Sequence, residues 1–315
     1  MSDDARSAGD EVNAHVAQGI AAGRFWCMAK VTVVADTCHY LQPALIKQYG
    51  IEQVSLHVLL PDGTERKDSS YNGDYTEYYD ILSSSPTLPT TSQPSHQDFL
   101  DVWEPILDRG EDILAMHLSA DLSGTFAGAQ AARESLGDRG SRVTVVNTRS
   151  VAGGEALVVL AGAAAVRAGM SASAAAEHAT AARAQMKIWF AVDTLEYMEK
   201  GGRIGAAAAW LGTALKIKPI LTFEDQVEPV ERVRTSKRAL ERMSEYLQTL
   251  KESGADTWLV QHITAHERAD ELVQRGIEIF GHEPTVLSEV GPVAGTYLGP
   301  GLLGVGGMPS SFMNP

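Results

Sequence analysis

From Lys30 to about residue 186 the chain alternates short apolar runs with segments of helical period, and this alternation most narrows what it can fold into. "KVTVVAD" (30–36), "VSLHVLL" (54–60), "DILAMHLS" (112–119) and "RVTVVNT" (142–148) read as strands. "YLQPALIKQYG" (40–50), "HQDFLDVWEPILDRG" (96–110), a stretch from Ser123 to about Leu136, and the Ala-rich stretches 151–168 and 172–186 read as helices. Strands that are apolar on both faces need cover on both faces, which helices supply. The first half is therefore expected to be a parallel sheet wrapped by helices.

After residue 185 the pattern changes. "KIWFAVDT" (187–194), "KPILTFED" (218–225) and "VEPVERVRT" (227–235) are strand-like, and "EDQ" separates the last two as in a hairpin. A helix at 236–254, a strand at 257–264, a helix at 267–281, a strand at 284–290 and a Gly-rich tail follow. This predicts a second, α+β domain with a mixed or antiparallel sheet. The fold class is thus α/β in two domains, over 30–184 and 185–315. Residues 1–29 read as a flexible extension, because "MAKVTVVADT" from Met28 runs directly into the first strand.

The 315 residues, 44% of them hydrophobic, suffice for two cores. A formal charge of −14 without a basic block argues against nucleic acid. Cys27 and Cys38 form no CxxC, so no structural zinc is expected and a reducing cytoplasm fits. The acidic N-terminus is no secretory signal. The apolar stretch 156–169 is too short to span a bilayer and contains Arg167, so it reads as a buried helix, with no stable membrane insertion.

Polar groups gather where the strands of the first domain end. Asp36 and Thr37 follow the first strand, "TTSQPS" (90–95) precedes a helix, Ser119 ends a strand, "DLSGTF" (121–126) opens the next helix, and Asn147 and Thr148 end the fourth strand. Open α/β sheets bind ligands outside the carboxyl ends of their strands, and helix N-termini favour anions. Capping is the competing reading: Ser95 and Ser123 are good N-cap types, worth roughly 1 kcal/mol each. Taken together, the set favours a ligand. Nucleophilic catalysis is weaker, since there is no GxSxG elbow and no motif pairs a histidine with Ser92 or Ser123. His117 and His262 lie in apolar strands and read as structural.

In the second half, "EYMEKGGRIG" (196–205) holds Arg203 behind two glycines, as a fork for oxyanions or simply as part of a solvated helix cap. The tail "GPVAGTYLGPGLLGVGG" (291–307) contains a GxGxxG that lacks its helix and acidic partner, so no dinucleotide site is expected. Close backbone approach to a ligand or to the other domain is expected instead, with Tyr297 as a polar contact. The sum is an interdomain site for a polar head on an apolar body.

"VVADT", "TTSQPS", "LSADLSGTF", "LEYMEKGGRIG", "LKIKPIL", "VRT" and "GPVAGTYLGPGLLGV" occur in the order of the DegV family, which the chain resembles over roughly residues 30–307. The resemblance implies a long-chain fatty acid buried between two α/β domains, with its carboxylate among hydroxyls. It also implies no catalysis by the chain itself and no cofactor beyond the lipid. In some members a fatty acid kinase partner brings ATP and Mg²⁺ and phosphorylates the carboxylate. Carried over, Thr91 and Ser123 donate to the carboxylate, Ser92 and Ser119 are neighbours, and Arg203 lends charge near the head group. Two positions depart from the family. Tyr297 stands where the family has a histidine, and "NTRS" (147–150) replaces an Asp-Ser. The alternatives are a hydrolase or acyltransferase using Ser92 or Ser123, and a lipid sensor without a kinase partner.

Overall fold

Val31–Asp36 (β1) is dense in β-branched residues and buried along nearly all its length, as a central parallel strand must be. The computed structural model describes residues 30–212 and 217–315; the expected extension and Cys27 lie outside them. Helix Pro43–Tyr49 (α1) starts with its proline, stops at Gly50 (φ +64°), and returns the chain to Glu52–Val54 (β2), parallel to β1.

Here the expected strand 54–60 divides. Leu56 N–H donates to Thr37 Oγ1 (3.3 Å) and Ser69 N–H to Ser55 Oγ (3.0 Å), which turns the backbone out of the sheet. His57–Leu59 (β3) then pairs antiparallel with Glu65–Lys67 (β4) and, past helix Thr76–Ser84 (α2), with Thr90–Ser92 (β5). Apolar residues recur at 54, 56, 58 and 60 straight through the segment, so the pattern could not reveal this change of sheet. Half of "TTSQPS" is therefore strand. Its Ser95 begins helix His96–Asp108 (α3) with a full capping box to Asp98.

Asp112–His117 (β6), helix Thr125–Ser135 (α4) and Val143–Asn147 (β7) complete a parallel sheet of order β2-β1-β6-β7. Asp36, fully buried, ties its carboxyl edge together: it accepts from Cys38 N–H (2.9 Å) and from Leu118 N–H (2.8 Å). His117 is a core residue at zero exposure, its ring edge-on to Phe99.

Helix Ala152–Arg167 (α5) is apolar on every face apart from Glu155 and its terminal Arg167, and buried from Ala152 to Ala165. Such a helix needs cover on every side. It has the parallel sheet on one flank and the second sheet on the other, joined in one continuous core. Leu157 and Leu160 within it are fully buried, worth about 1.5–3 kcal/mol each. Helix Ala172–Gln185 (α6), capped by Ser171, packs beside it.

Lys187–Ala191 (β8), the one-and-a-half-turn helix Glu196–Gly201 (α7), Lys218–Phe223 (β9) and Val227–Val233 (β10) follow. Then come helix Ser236–Glu252 (α8), Thr257–His262 (β11), helix His266–Phe280 (α9), Val286–Glu289 (β12), helix Pro292–Leu298 (α10) and Leu303–Met308 (β13). The sheet order is β10-β9-β8-β13-β11-β12. The β11/β12 pair is parallel and the other pairs are antiparallel, so the sheet is mixed.

The end of the Gly-rich tail, which the sequence did not assign to a strand, is β13, a central strand of this sheet. Glycine is disfavoured in strands, which hid it. Yet a Cβ on Gly306 would stand 2.8 Å from the Lys187 carbonyl oxygen, so only glycine lets β13 approach β8 this closely.

Candidate ligand-binding site

A cavity of about 370 Å³ lies between the parallel sheet's carboxyl edge and the mixed sheet. One end is polar: Thr91, Ser92, Gln93, Ser123, Arg203 and Tyr297 line it. Ser92, Gln93 and Arg203 are exposed there, so this end opens to solvent. The body is apolar, walled by buried residues such as Leu118, Ile188, Phe190, Phe223 and Leu302. Among the described lining residues, Arg203 is the charged one and no histidine appears.

The polar end is assembled from four segments that lie far apart in sequence. β5 pairs with β3 and presents Thr91, whose Oγ1 lies 2.6 Å from the Tyr297 hydroxyl at the far end of the chain. Ser123 sits just before α4. Its Oγ accepts from Thr125 N–H (3.3 Å) and lies 2.9 Å from Thr125 Oγ1. The helix N-cap is Gly124, one residue later than the sequence suggests. A side chain at Gly124 would collide with Gln93, at 1.9 Å from its Oε1. The Gln of "TTSQPS" thus packs its side-chain end against the Gly of "DLSGTF", bringing the two motifs together at the cavity.

Ser119 behaves differently. It is fully buried and does not line the cavity. Its hydroxyl accepts from Asp121 N–H (3.3 Å) and its carbonyl from Ser123 N–H (3.1 Å), so it holds the loop that presents Ser123.

Gly202, at φ +72°, ends α7 and swings Arg203 back toward the first domain. Arg203 Nε donates to the Leu122 carbonyl (3.3 Å) and Nη1 to that of Gly201 (2.7 Å), and the guanidinium lies 4.9 Å from the Tyr297 ring centroid. Arg203 is therefore a bridge between the two halves and not a loose surface cation. The other departing motif is local: Asn147 Oδ1 accepts from Arg149 N–H (2.9 Å) and Ala120 N–H (3.3 Å), fastening the loop after β7 to the one after β6.

Sequence reading missed how α10, which carries Tyr297, is held. Tyr79 OH donates to the Val290 carbonyl (2.5 Å), Tyr78 OH pairs with Thr296 Oγ1 (2.6 Å), Ala294 N–H donates to Tyr40 OH (3.0 Å), and Val293 N–H to Asp68 Oδ1 (3.4 Å). The tyrosine-rich run "YTEYYDIL" (75–82) was the available signal. Burial pushes the Asp68 carboxyl up to about 7, opposed by a hydrogen bond from Thr37 and the one from Val293 and assisted by Asp36.

Cys38 also lines the cavity, but burial first, and then Asp36, push its thiol well up, so it is no thiolate nucleophile. Burial and Asp36 likewise push the Glu155 carboxyl far up.

A cavity with an apolar body and a polar, open end, set between two α/β domains, has the polarity of a site for an amphipathic ligand. The chain belongs to the DegV family: the family described as "Uncharacterised protein, DegV family" matches residues 30–310. A DegV domain-containing protein of Streptomyces coelicolor is 36% identical over 284 residues, spanning 87% of this chain and 97% of that one. Among solved structures, a DegV family protein from Thermus thermophilus, described by its fatty acid binding, is 29% identical with TM-score 0.75, covering 89% of this chain and 99% of that one. DegV of Bacillus subtilis, described as a fatty acid binding protein, is 28% identical with TM-score 0.78 and the same coverage. Both solved relatives are described by their fatty acid binding. Among the described residues, no helix is long and apolar enough to cross a membrane.

Proposed function

We propose that this chain binds a long-chain fatty acid in the interdomain cavity and presents its carboxylate to a fatty acid kinase partner in the cytoplasm. The carrying observation is the cavity's polarity: hydroxyl and amide groups with one arginine at an open end, and an apolar body behind them. The two domains divide, in this reading, between residues 184 and 185, at the last residue of α6.

In this reading, Thr91 and Ser123 donate O–H bonds to the carboxylate, Ser92 adds a donor at the rim, and Arg203 and Tyr297 close the mouth. Ser119 acts only through Ser123. Hydrogen bonds to a charged group contribute about 1.5–3 kcal/mol each. Burial of the chain contributes about 0.8 kcal/mol per CH₂. Uncharged donors leave the carboxylate oxygen nucleophilic. It can attack the γ-phosphorus of ATP held by the partner, forming an acyl phosphate as ADP leaves. Catalysis by the chain's own serines is disfavoured, because no base lines the cavity beside Ser92 or Ser123 among the described residues.

Native mass spectrometry of the freshly purified protein, followed by lipid extraction, tests the binding. One fatty acid per chain, lost in Thr91→Ala/Ser123→Ala, is the expected result. A cavity that takes up no added fatty acid would overturn the reading. Phosphorylation of the bound lipid by a kinase subunit with ATP then separates a kinase-coupled carrier from a lipid sensor. Release of product from an acyl ester, abolished by Ser123→Ala, would instead establish an esterase.

A further inference from the structure

On the sheet face away from the cavity, β11, α9 and β12 bring three metal-ligand side chains together. His262 ends β11, His266 opens α9, and Glu289 ends β12. His262 Nδ1 and His266 Nε2 lie 3.9 and 4.0 Å from the same Glu289 oxygen. One ligand atom from each residue falls within 4.8 Å of the others.

The His262 ring supplies a second, independent observation. Its side chain is 8% exposed, yet Nδ1, 3.9 Å from Glu289 Oε1, has no hydrogen-bond partner among the described residues. A buried imidazole nitrogen left unpaired is costly, and coordination would satisfy it. The carboxylate is held in place as a good ligand needs: Thr264 N–H donates to Glu289 Oε1 at 2.8 Å. Thr264 reaches it only by adopting φ +47°, a conformation unusual for a β-branched residue. Asp270, on the same face of α9 as His266, adds negative charge near the pair.

We propose that His262, His266 and Glu289 bind a late first-row divalent transition-metal ion, with Zn²⁺ as the reference occupant. Two imidazoles and a carboxylate suit such ions and suit Mg²⁺ or Ca²⁺ poorly. Bonds of about 2.0–2.1 Å place tetrahedral ligand atoms roughly 3.3–3.4 Å apart. Metal binding therefore requires the 3.9 Å between His262 Nδ1 and Glu289 Oε1 to close by about 0.5 Å as well as a rotation of the exposed His266 ring toward the pair. Three protein ligands leave a fourth position for water or an outside ligand. Because Glu289 immediately precedes Val290, whose carbonyl receives Tyr79, the ion would also brace the approach to α10.

Equilibrium dialysis of the full-length, untagged protein against buffered Zn²⁺, with Co²⁺ as an absorbing substitute, tests this. The expected result is one ion per chain and the intense visible bands of low-coordinate Co²⁺. His266→Ala, at an exposed helix start, should weaken binding by about 100-fold or more without loss of bound lipid, and Glu289→Gln by at least about 10-fold. Wild-type binding well below one equivalent at micromolar Zn²⁺ would overturn the proposal. So would full-strength binding by His266→Ala, which would place the ion elsewhere.

Discussion

The two walls of the cavity are built by opposite means. The wall from the first domain is loops and caps: Thr91 on a three-residue strand, Ser123 fastened to Thr125, and Gln93 seated on Gly124. Its positions depend on single hydrogen bonds at the solvent edge. The wall from the second domain is the middle of a sheet: Phe190 on β8, Leu259 on β11, and between them the glycines of β13. Its positions depend on backbone spacing. The first wall can lose a side chain and keep the fold, whereas the second cannot gain one without moving a strand. Function and stability should therefore separate on mutation.

The sharpest separation is expected from Thr91→Ala/Ser123→Ala. In the proposed binding mode this removes two bonds to a charged head group, roughly 3–6 kcal/mol in fatty acid affinity. Lipid retention should fall more than 100-fold while the lipid-free protein melts within a few degrees of wild type. A similar loss of melting temperature and affinity would show that the walls are not distinct.

Next is Asp68, which docks α10 between the walls. Its pKa is raised from an ordinary 3.8 to about 7, so the folded state holds a proton that the unfolded chain has released. Stability from this group is present at low pH and declines as pH rises through about 4 to 7. Its size is roughly 2–4 kcal/mol. His39 and His262, buried and pushed down to about 4, act in the opposite sense as pH falls from about 6.5. The clean measurement is therefore the difference in urea-unfolding free energy between wild type and Asp68→Asn. That difference should shift in favour of Asp68→Asn between pH 4.5 and 8; a flat difference would mean Asp68 is ionised when folded.

Gly306→Val addresses the second wall. Its methyl groups meet the Lys187 carbonyl, which cannot rotate aside. About 2 kcal/mol of stability should go, with lipid loss following unfolding and not preceding it. The smallest effect is expected from Tyr297→Phe, which removes the 2.6 Å bond to Thr91 and keeps the ring beneath Arg203. A cost of about 1 kcal/mol in affinity, seen as a several-fold faster lipid release, is the expected outcome. If Tyr297→His bound lipid more tightly at pH 6 than at pH 8, the position would be a head-group site in its own right.

Legibility followed the range of the interactions. The capping box at Ser95, the hairpin over 218–233 and the paired Ala-rich helices were readable, because propensity and periodicity act within a few residues. The polar mouth was readable as chemistry, since hydroxyls at strand ends announce themselves. Which of them face the ligand was not: Ser119 and Ser123 are equally good donors by type, and only the fold buries one behind the other. By itself, then, the sequence determined a parallel α/β half, a mixed-sheet half and a stock of uncharged donors at one edge. The tertiary structure alone decided that 54–60 changes sheets, that a glycine strand completes the second sheet, that tyrosines dock α10, and that an arginine crosses from one half to the other. Those outcomes depend on backbone distances and hydrogen bonds between residues up to more than two hundred positions apart, as between Thr91 and Tyr297. No local pattern encodes such pairs.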